Sequence, residues 1–149
     1  MSVGALCNRE VAVTGPETTV AEAARLMRNY HVGDLVILGE ERKPEGLVTD
    51  RDIVVEVMAK GLDPESLTVT DIMTQALTTV SEETDFWDAL AHMRLHGIRR
   101  LPIVSVEGTL TGILTLDDAV ELVGEAVANL AGLVAREIDH ERERRPADR

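Results

Sequence analysis

The sequence predicts an α/β fold built from two copies of one small unit that share a core. The stretch Gly46-Leu47-Val48-Thr49-Asp50-Arg51-Asp52 recurs as Gly112-Ile113-Leu114-Thr115-Leu116-Asp117-Asp118, an offset of 112 − 46 = 66 residues. Without a gap, the same offset places Val20, Ala23, Ala24 and Met27 on Phe86, Ala89, Leu90 and Met93. It also places Leu35 and Ile37 on Leu101 and Ile103. A repeat of this length is too long for one solenoid helix pair and too short for two comfortable independent domains. Each copy runs apolar residues into Thr-x-x-Asp, which suits a strand that ends in a helix start. The function is expected there.

The elements follow in order. Val11-Ala12-Val13 is a short β-like run closed by a turn at Gly15-Pro16. Thr18 or Thr19 caps a helix whose apolar face is Val20, Ala23, Ala24 and Met27, and Gly33 ends it. Leu35 to Leu38 is a continuous apolar run of strand length, as expected where both faces are covered. After a charged turn, Glu45 to Thr49 is the next strand, and Asp50 opens a helix to about Met58 that stops at Lys60-Gly61. The first repeat is thus 7–61, and a linker with the turn signal Asp63-Pro64 fills 62–69.

The second repeat, 70–131, opens on the short helical turn Thr70 to Thr74. Leu77 to Val80 is its first strand, Asp85 to His96 its helix, and Arg100 to Val104 and Leu110 to Thr115 its remaining strands. The last helix starts near Asp117 and overruns its counterpart. Val123, Val127, Leu130, Val134 and Ile138 continue an apolar stripe that a monomer would expose, so a homodimer is expected. Gly124 and Gly132 weaken that helix by about 1 kcal/mol each relative to Ala, so packing must hold it. The end, 132–149, reads as a helical, charged tail that frays.

Composition narrows the function. With 15 basic and 27 acidic residues the net charge is −12, which repels phosphate backbones and anionic membrane surfaces. Neither nucleic acid nor membrane is an expected partner. Aromatic content of 2% leaves Val, Leu, Ile and Ala to build the core. The single Cys7 makes no internal disulfide, which fits a reducing compartment, and packing is its expected role rather than reactivity. No span is apolar enough to cross a bilayer, and the chain is read as cytoplasmic. His92 and His96 share a helix face without a third metal ligand, so no metal site is expected. No Walker loop, nucleophile elbow or Ser-His-Asp order is present, so no enzyme is expected.

Two repeats of strand-helix-strand-strand-helix, each closing on Gly-apolar-apolar-Thr-x-x-Asp, resemble a tandem pair of cystathionine β-synthase (CBS) domains, a Bateman module. His96-Gly97-Ile98-Arg99-Arg100-Leu101-Pro102-Ile103-Val104 is similar to that family's helix-to-strand signature, and Val69 to Thr74 to its lead-in. The first copy departs from it, with Val36 in place of Pro102 and Gly33-Asp34 in place of Arg99-Arg100. The resemblance implies β-α-β-β-α repeats packed back to back with pseudo-two-fold symmetry, followed by a long C-terminal helix. It also implies adenosine nucleotides (AMP, ADP or ATP) as regulatory ligands in two clefts between the repeats, and a protein partner that receives the signal.

Carried over by position, one cleft uses Thr115, Asp117 and Asp118 with Ile113 against the base, Ala12, Val32 and Gly33 as lining, and Arg99 or Arg100 on the phosphates. The other uses Leu47, Thr49, Arg51 and Asp52, with Met73, Thr78 and Ile98 as lining. The chemistry suits this, since a carboxylate accepts from ribose hydroxyls and a helix start donates to phosphate. Mg²⁺ is expected only through the nucleotide's phosphates. The arginine pair ranks the Asp118 cleft first. Two alternatives stand beside the ligand: simple helix capping by each Thr and Asp, and a ligand-free assembly module working through its C-terminal helix.

Overall fold

The computed structural model describes residues 1–145. The chain divides into two compact units, Met1–Leu114 and the stretch from Thr115 onward. The first unit holds α1 (Val3–Leu6), β1 (Val13–Thr14), α2 (Val20–Tyr30), β2 (Asp34–Leu38) and β3 (Pro44–Thr49). Then come α3 (Asp50–Asp52), which runs on as a π-helix over Ile53–Met58, and a 3₁₀ turn at Val69–Asp71. After these follow β4 (Val80–Ser81), α4 (Phe86–His96), β5 (Arg100–Val104) and β6 (Leu110–Thr115). The second unit is α5 (Leu116–Arg144), capped by Thr115.

The repeat is kept element by element. Shifting α2, β2 and β3 by the sequence offset lands on the bounds of α4, β5 and β6. Each copy makes a three-stranded sheet, β1-β2-β3 or β4-β5-β6. The first strand runs parallel to the second, with Val13 opposite Val36 and Val80 opposite Ile103.

Local chemistry explains the helices. Thr19 caps α2 by accepting the Glu22 amide at 3.1 Å, and Asp85 caps α4 by accepting that of Trp87 at 2.9 Å. Val20, Ala23 and Met27 face inward from α2, as Phe86, Ala89 and Met93 do from α4. On β2, Leu35, Val36 and Ile37 are all buried, as a strand covered on both faces requires. Ala23, Met27, Leu35, Ile37, Val48 and Val69 form one cluster, and Val36, Leu110 and Ile113 another that joins the two sheets.

Pseudo-two-fold symmetry is written in the backbone pairs between repeats. Asn8 bridges Ile113, and Thr74 bridges Leu47; Ser2 bridges Asp85, and Thr68 bridges Thr19. Adding the offset to one partner and subtracting it from the other turns each bridge into its mate. Val3 N donates to Thr84 O at 2.7 Å and Val69 N to Thr18 O at 2.8 Å, related in the same way. Each lead-in is therefore held by the opposite repeat.

Three expectations change in detail. The first helix ends at His31, not Gly33; His31 takes the left-handed conformation (φ 55°) and its amide donates to Met27 O. The first strand of the second copy is Val80–Ser81 rather than Leu77 to Val80, because only these two residues pair with β5. The first strand is Val13–Thr14 rather than Val11 to Val13, because only these two residues pair with β2; the last helix overruns its counterpart as expected and continues to Arg144. The part of the expected fraying tail at 146–149 lies outside the described residues.

Candidate functional site

Two structural tasks shape the repeated motif before any ligand is considered. A Cβ on Gly46 would sit 3.0 Å from Thr74 O and against the Met73 side chain. One on Gly112 would sit 3.0 Å from Asn8 O and against the Cys7 thiol. The crossing lead-ins leave room for no side chain there, so each glycine is dictated by close backbone approach. The Thr-x-x-Asp is a capping box. Asp52 N donates to Thr49 Oγ1 at 3.1 Å and Thr49 N donates to Asp52 Oδ2 at 2.8 Å. Thr115 and Asp118 repeat this at 3.1 Å each way. Thr68 and Asp71 form a third box at the 3₁₀ turn, with no glycine before it. Packing and capping thus account for the motif itself, and ligand chemistry has to come from what surrounds it.

Around Thr49 there is a cavity of about 190 Å³, lined by Leu47, Thr49, Thr74, Ala76, Leu77, Thr78, Ile98, Arg99 and Arg100. Its apolar walls come from Leu47, Ala76, Leu77 and Ile98, its hydroxyls from three threonines, and its charge from two arginines. The volume is below the range of about 300–1,000 Å³ common for small-molecule sites. It suits a base or nucleoside, with charged groups left at the arginine edge. Asp52 is half-buried and is not part of the lining; its Oδ2 accepts from Thr49 N, so the cap makes no use of Oδ1.

The structure thus brings Leu47, Thr49, Thr78 and Ile98 together. Arg51 is exposed, and Met73 packs against the Ala23 cluster rather than lining the cavity. Thr74, Ala76 and Leu77 went unread in the sequence, where Leu77 passes for a strand residue. Their signal was the lead-in itself, since Thr74 pairs with Leu47.

Arg99 and Arg100, grouped by sequence with Asp118, border the Thr49 cavity. They follow Ile98, the counterpart of Val32, so the surface that contains Ile98 takes its neighbours too. Arg100 Nε pairs ionically with Asp34 Oδ1 at 3.1 Å, with side chains only 30% and 18% exposed.

Of the other grouping, Ala12 and Val32 are half-buried against the Ala23 cluster, and Ile113 is buried in the cluster joining the sheets. Gly33 lies against Asp50 and Arg100. Thr115 and Asp118 cap α5, and Asp117 is exposed in its first turn.

Cys7 is buried, and burial pushes its thiol above the ordinary value, opposed by the Arg9 charge. A thiol held protonated against Gly112 is a packing group. His92 and His96 are exposed, with stacked rings and His96 Nδ1 2.9 Å from His92 O. Among the described residues no group of three or more His, Cys, Asp or Glu could hold a metal ion, and no helix is long and apolar enough to cross a membrane.

Known proteins share this architecture. An uncharacterized protein of Methanopyrus kandleri is 38% identical over 130 residues, covering 87% of this chain and 66% of that relative's length. Hypoxic response protein 1 of Mycobacterium tuberculosis is 34% identical over 113 residues, 76% of this chain and 78% of its own. Its crystal structure, with two coordinated zinc ions, superposes with a TM-score of 0.73, covering 81% of this chain and 98% of that one. A CBS domain protein of Pyrobaculum aerophilum complexed with AMP superposes at 0.72 with 26% identity, covering 79% of this chain and 89% of that one. The family model for the CBS domain matches twice, over residues 3–59 and 69–125, the offset seen in the backbone bridges. The chain belongs to the CBS domain family and carries a tandem pair of its repeats.

Proposed function

We propose that this CBS pair is a regulatory module that binds an adenosine nucleotide in the Thr49 cavity and passes its occupancy to a protein partner. One observation carries the reading: an apolar slot walled by Leu47, Leu77 and Ile98 opens onto threonine hydroxyls and two arginines, and Thr49 in its wall is hydrogen-bonded to the Asp52 carboxylate. Adenine would fill the slot. Asp52 Oδ1 would accept from the ribose hydroxyls, and Arg99 and Arg100 would face the phosphates. The AMP complex of the Pyrobaculum aerophilum relative supports the ligand class. The proposed role is binding rather than catalysis.

Thermal shift against AMP, ADP, ATP, S-adenosylmethionine and NADH tests it. A ligand at 100 times its Kd stabilises by about 2.7 kcal/mol. Titration calorimetry on Asp52→Ala should then show at least tenfold weaker binding, equivalent to about 1.4 kcal/mol, because a charge-assisted bond to ribose is lost. No shift with any adenosine compound at millimolar concentration would reject the reading.

The proposal includes a homodimer, favoured by α5. Val120, Val127, Leu130, Leu133 and Val134 on that helix are 54–68% exposed. A stripe of this kind is a liability unless covered. Light scattering at micromolar concentration should exceed the 16.3 kDa chain mass twofold. If the dimer forms and no adenosine compound binds, a ligand-free assembly module is the better description.

A further inference from the structure

Asp34 and Arg100 occupy the same position in the two repeats, one offset apart, and they form an ion pair, with Arg100 Nε 3.1 Å from Asp34 Oδ1. Two equivalent positions in contact must lie on the pseudo-two-fold axis. A symmetric pair there would set like charge against like charge. The chain instead places an anion in one copy and a cation in the other. The guanidinium has a second carboxylate near it. The point where a Gly33 Cβ would stand is 3.1 Å from Asp50 Oδ2 and 3.6 Å from Arg100 Nη2. Arg100 also borders the Thr49 cavity, so a cation facing the ligand is already compensated from within the protein.

We propose that Asp34 is the residue that sets the ligand preference of the Thr49 cavity, by neutralising the Arg100 guanidinium that would otherwise draw a ligand's phosphate. This rests on the adenosine-nucleotide reading and deepens it. With Asp34 charged, Arg100 contributes a neutral pair to the cavity mouth rather than a full positive charge. A ligand without phosphate loses nothing by this. A ligand with phosphate must either share the guanidinium with Asp34 or displace it. Displacement breaks an ion pair that joins the repeats, so phosphorylated ligands alone act on the contact at the axis. Side chains 30% and 18% exposed are partly shielded from solvent, which keeps the effect from being wholly screened.

The test compares adenosine with AMP by titration calorimetry on the wild-type chain and on Asp34→Asn, which keeps the shape and the hydrogen-bond acceptor while removing the charge. AMP affinity should rise by about threefold to tenfold at low salt with adenosine affinity unmoved, and the gain should shrink as salt is added. Asp34→Glu, which keeps the charge, should leave the AMP-to-adenosine ratio near that of wild type. If Asp34→Asn does not fold, Asp34→Ser takes its place in the same comparison. An unchanged ratio, or an equal change for both ligands, overturns the role of Asp34 while leaving nucleotide binding intact. Absence of binding by either ligand to any variant overturns the nucleotide reading and this inference with it.

Discussion

The two repeats agree in their backbone and disagree in their charge. The bounds of α2, β2 and β3, the crossing bridges, the motif glycines and the capping boxes at the ends of β3 and β6 all map across at the common offset. Side chains at equivalent positions do not. Gly33 and Asp34 answer to Arg99 and Arg100, Val36 to Pro102, Cys7 to Met73, and His31 to Gly97. The motif glycines, where a Cβ would meet the opposite lead-in, are the same in both copies, whereas Gly33-Asp34 and Arg99-Arg100, at the axis and the Thr49 cavity, are not. Folding constrains the skeleton twice over, and the lining of the Thr49 cavity carries the difference between the halves.

The sharpest way to break the equivalence is at the motif glycines. Gly112→Ala drives a Cβ against Asn8 O and the short Cys7 side chain; Gly46→Ala meets Thr74 O and the longer Met73 side chain. Overpacking costs about 1–3 kcal/mol, and Gly112 should lie at the upper end because the Cys7 side chain has one torsion with which to yield and Met73 has three. Urea unfolding of the two variants checks the order. Equal losses would mean that the carbonyl clash alone sets the cost.

Much of this was legible in the sequence, and the reason is the repeat. A period of apolar residues reports an element weakly once, but two copies in one register report it twice. The bounds of the matching strands therefore came out close to those observed. The site was less legible. Thr49 and Asp52 are visible in sequence because they cap a helix, a local act between residues three apart. Arg99 and Arg100 could not be assigned to a cleft, since that depends on which lead-in crosses which strand, and Thr74 on Leu47 is a tertiary fact. In the sequence Asp34 is only the residue that stands where the second copy has Arg100. Its engagement with Arg100 shows only once the axis is located.

The capping boxes offer a smaller perturbation, and one that separates structure from ligand chemistry. Thr49→Ala and Thr115→Ala each remove the acceptor of the Asp amide three residues on, at 3.1 Å in both repeats. Each should cost about 1 kcal/mol of stability. Thr49 also borders the cavity, so its variant should weaken adenosine binding as well, whereas Thr68→Ala, at the third box, should affect stability alone. Denaturation and calorimetry on the same samples read both effects. Loss of binding in Thr68→Ala would show that cap strength, rather than the hydroxyl at the cavity, controls the ligand.

The smallest expected effect lies where the repeats differ with no bearing on the cavity. Both α2 and α4 end on a left-handed residue, His31 with φ 55° and Gly97 with φ 62°. Left-handed backbone costs an L-residue with a Cβ about 1–2 kcal/mol, and glycine pays none of that strain. Against this, glycine gives the unfolded chain more freedom, which costs back about 0.4–1 kcal/mol. His31→Gly should therefore stabilise the first repeat by roughly 0.8 kcal/mol, the difference between the midpoints of those two ranges. His31 is exposed, so little packing is lost with its ring. Gly97→Ala should destabilise the second repeat by a similar amount. The double variant should lie near wild type, because the sites belong to different helices and add. Thermal unfolding resolves shifts of this size. A destabilised His31→Gly would mean that the imidazole makes a contribution at the helix end large enough to outweigh the strain of its own backbone.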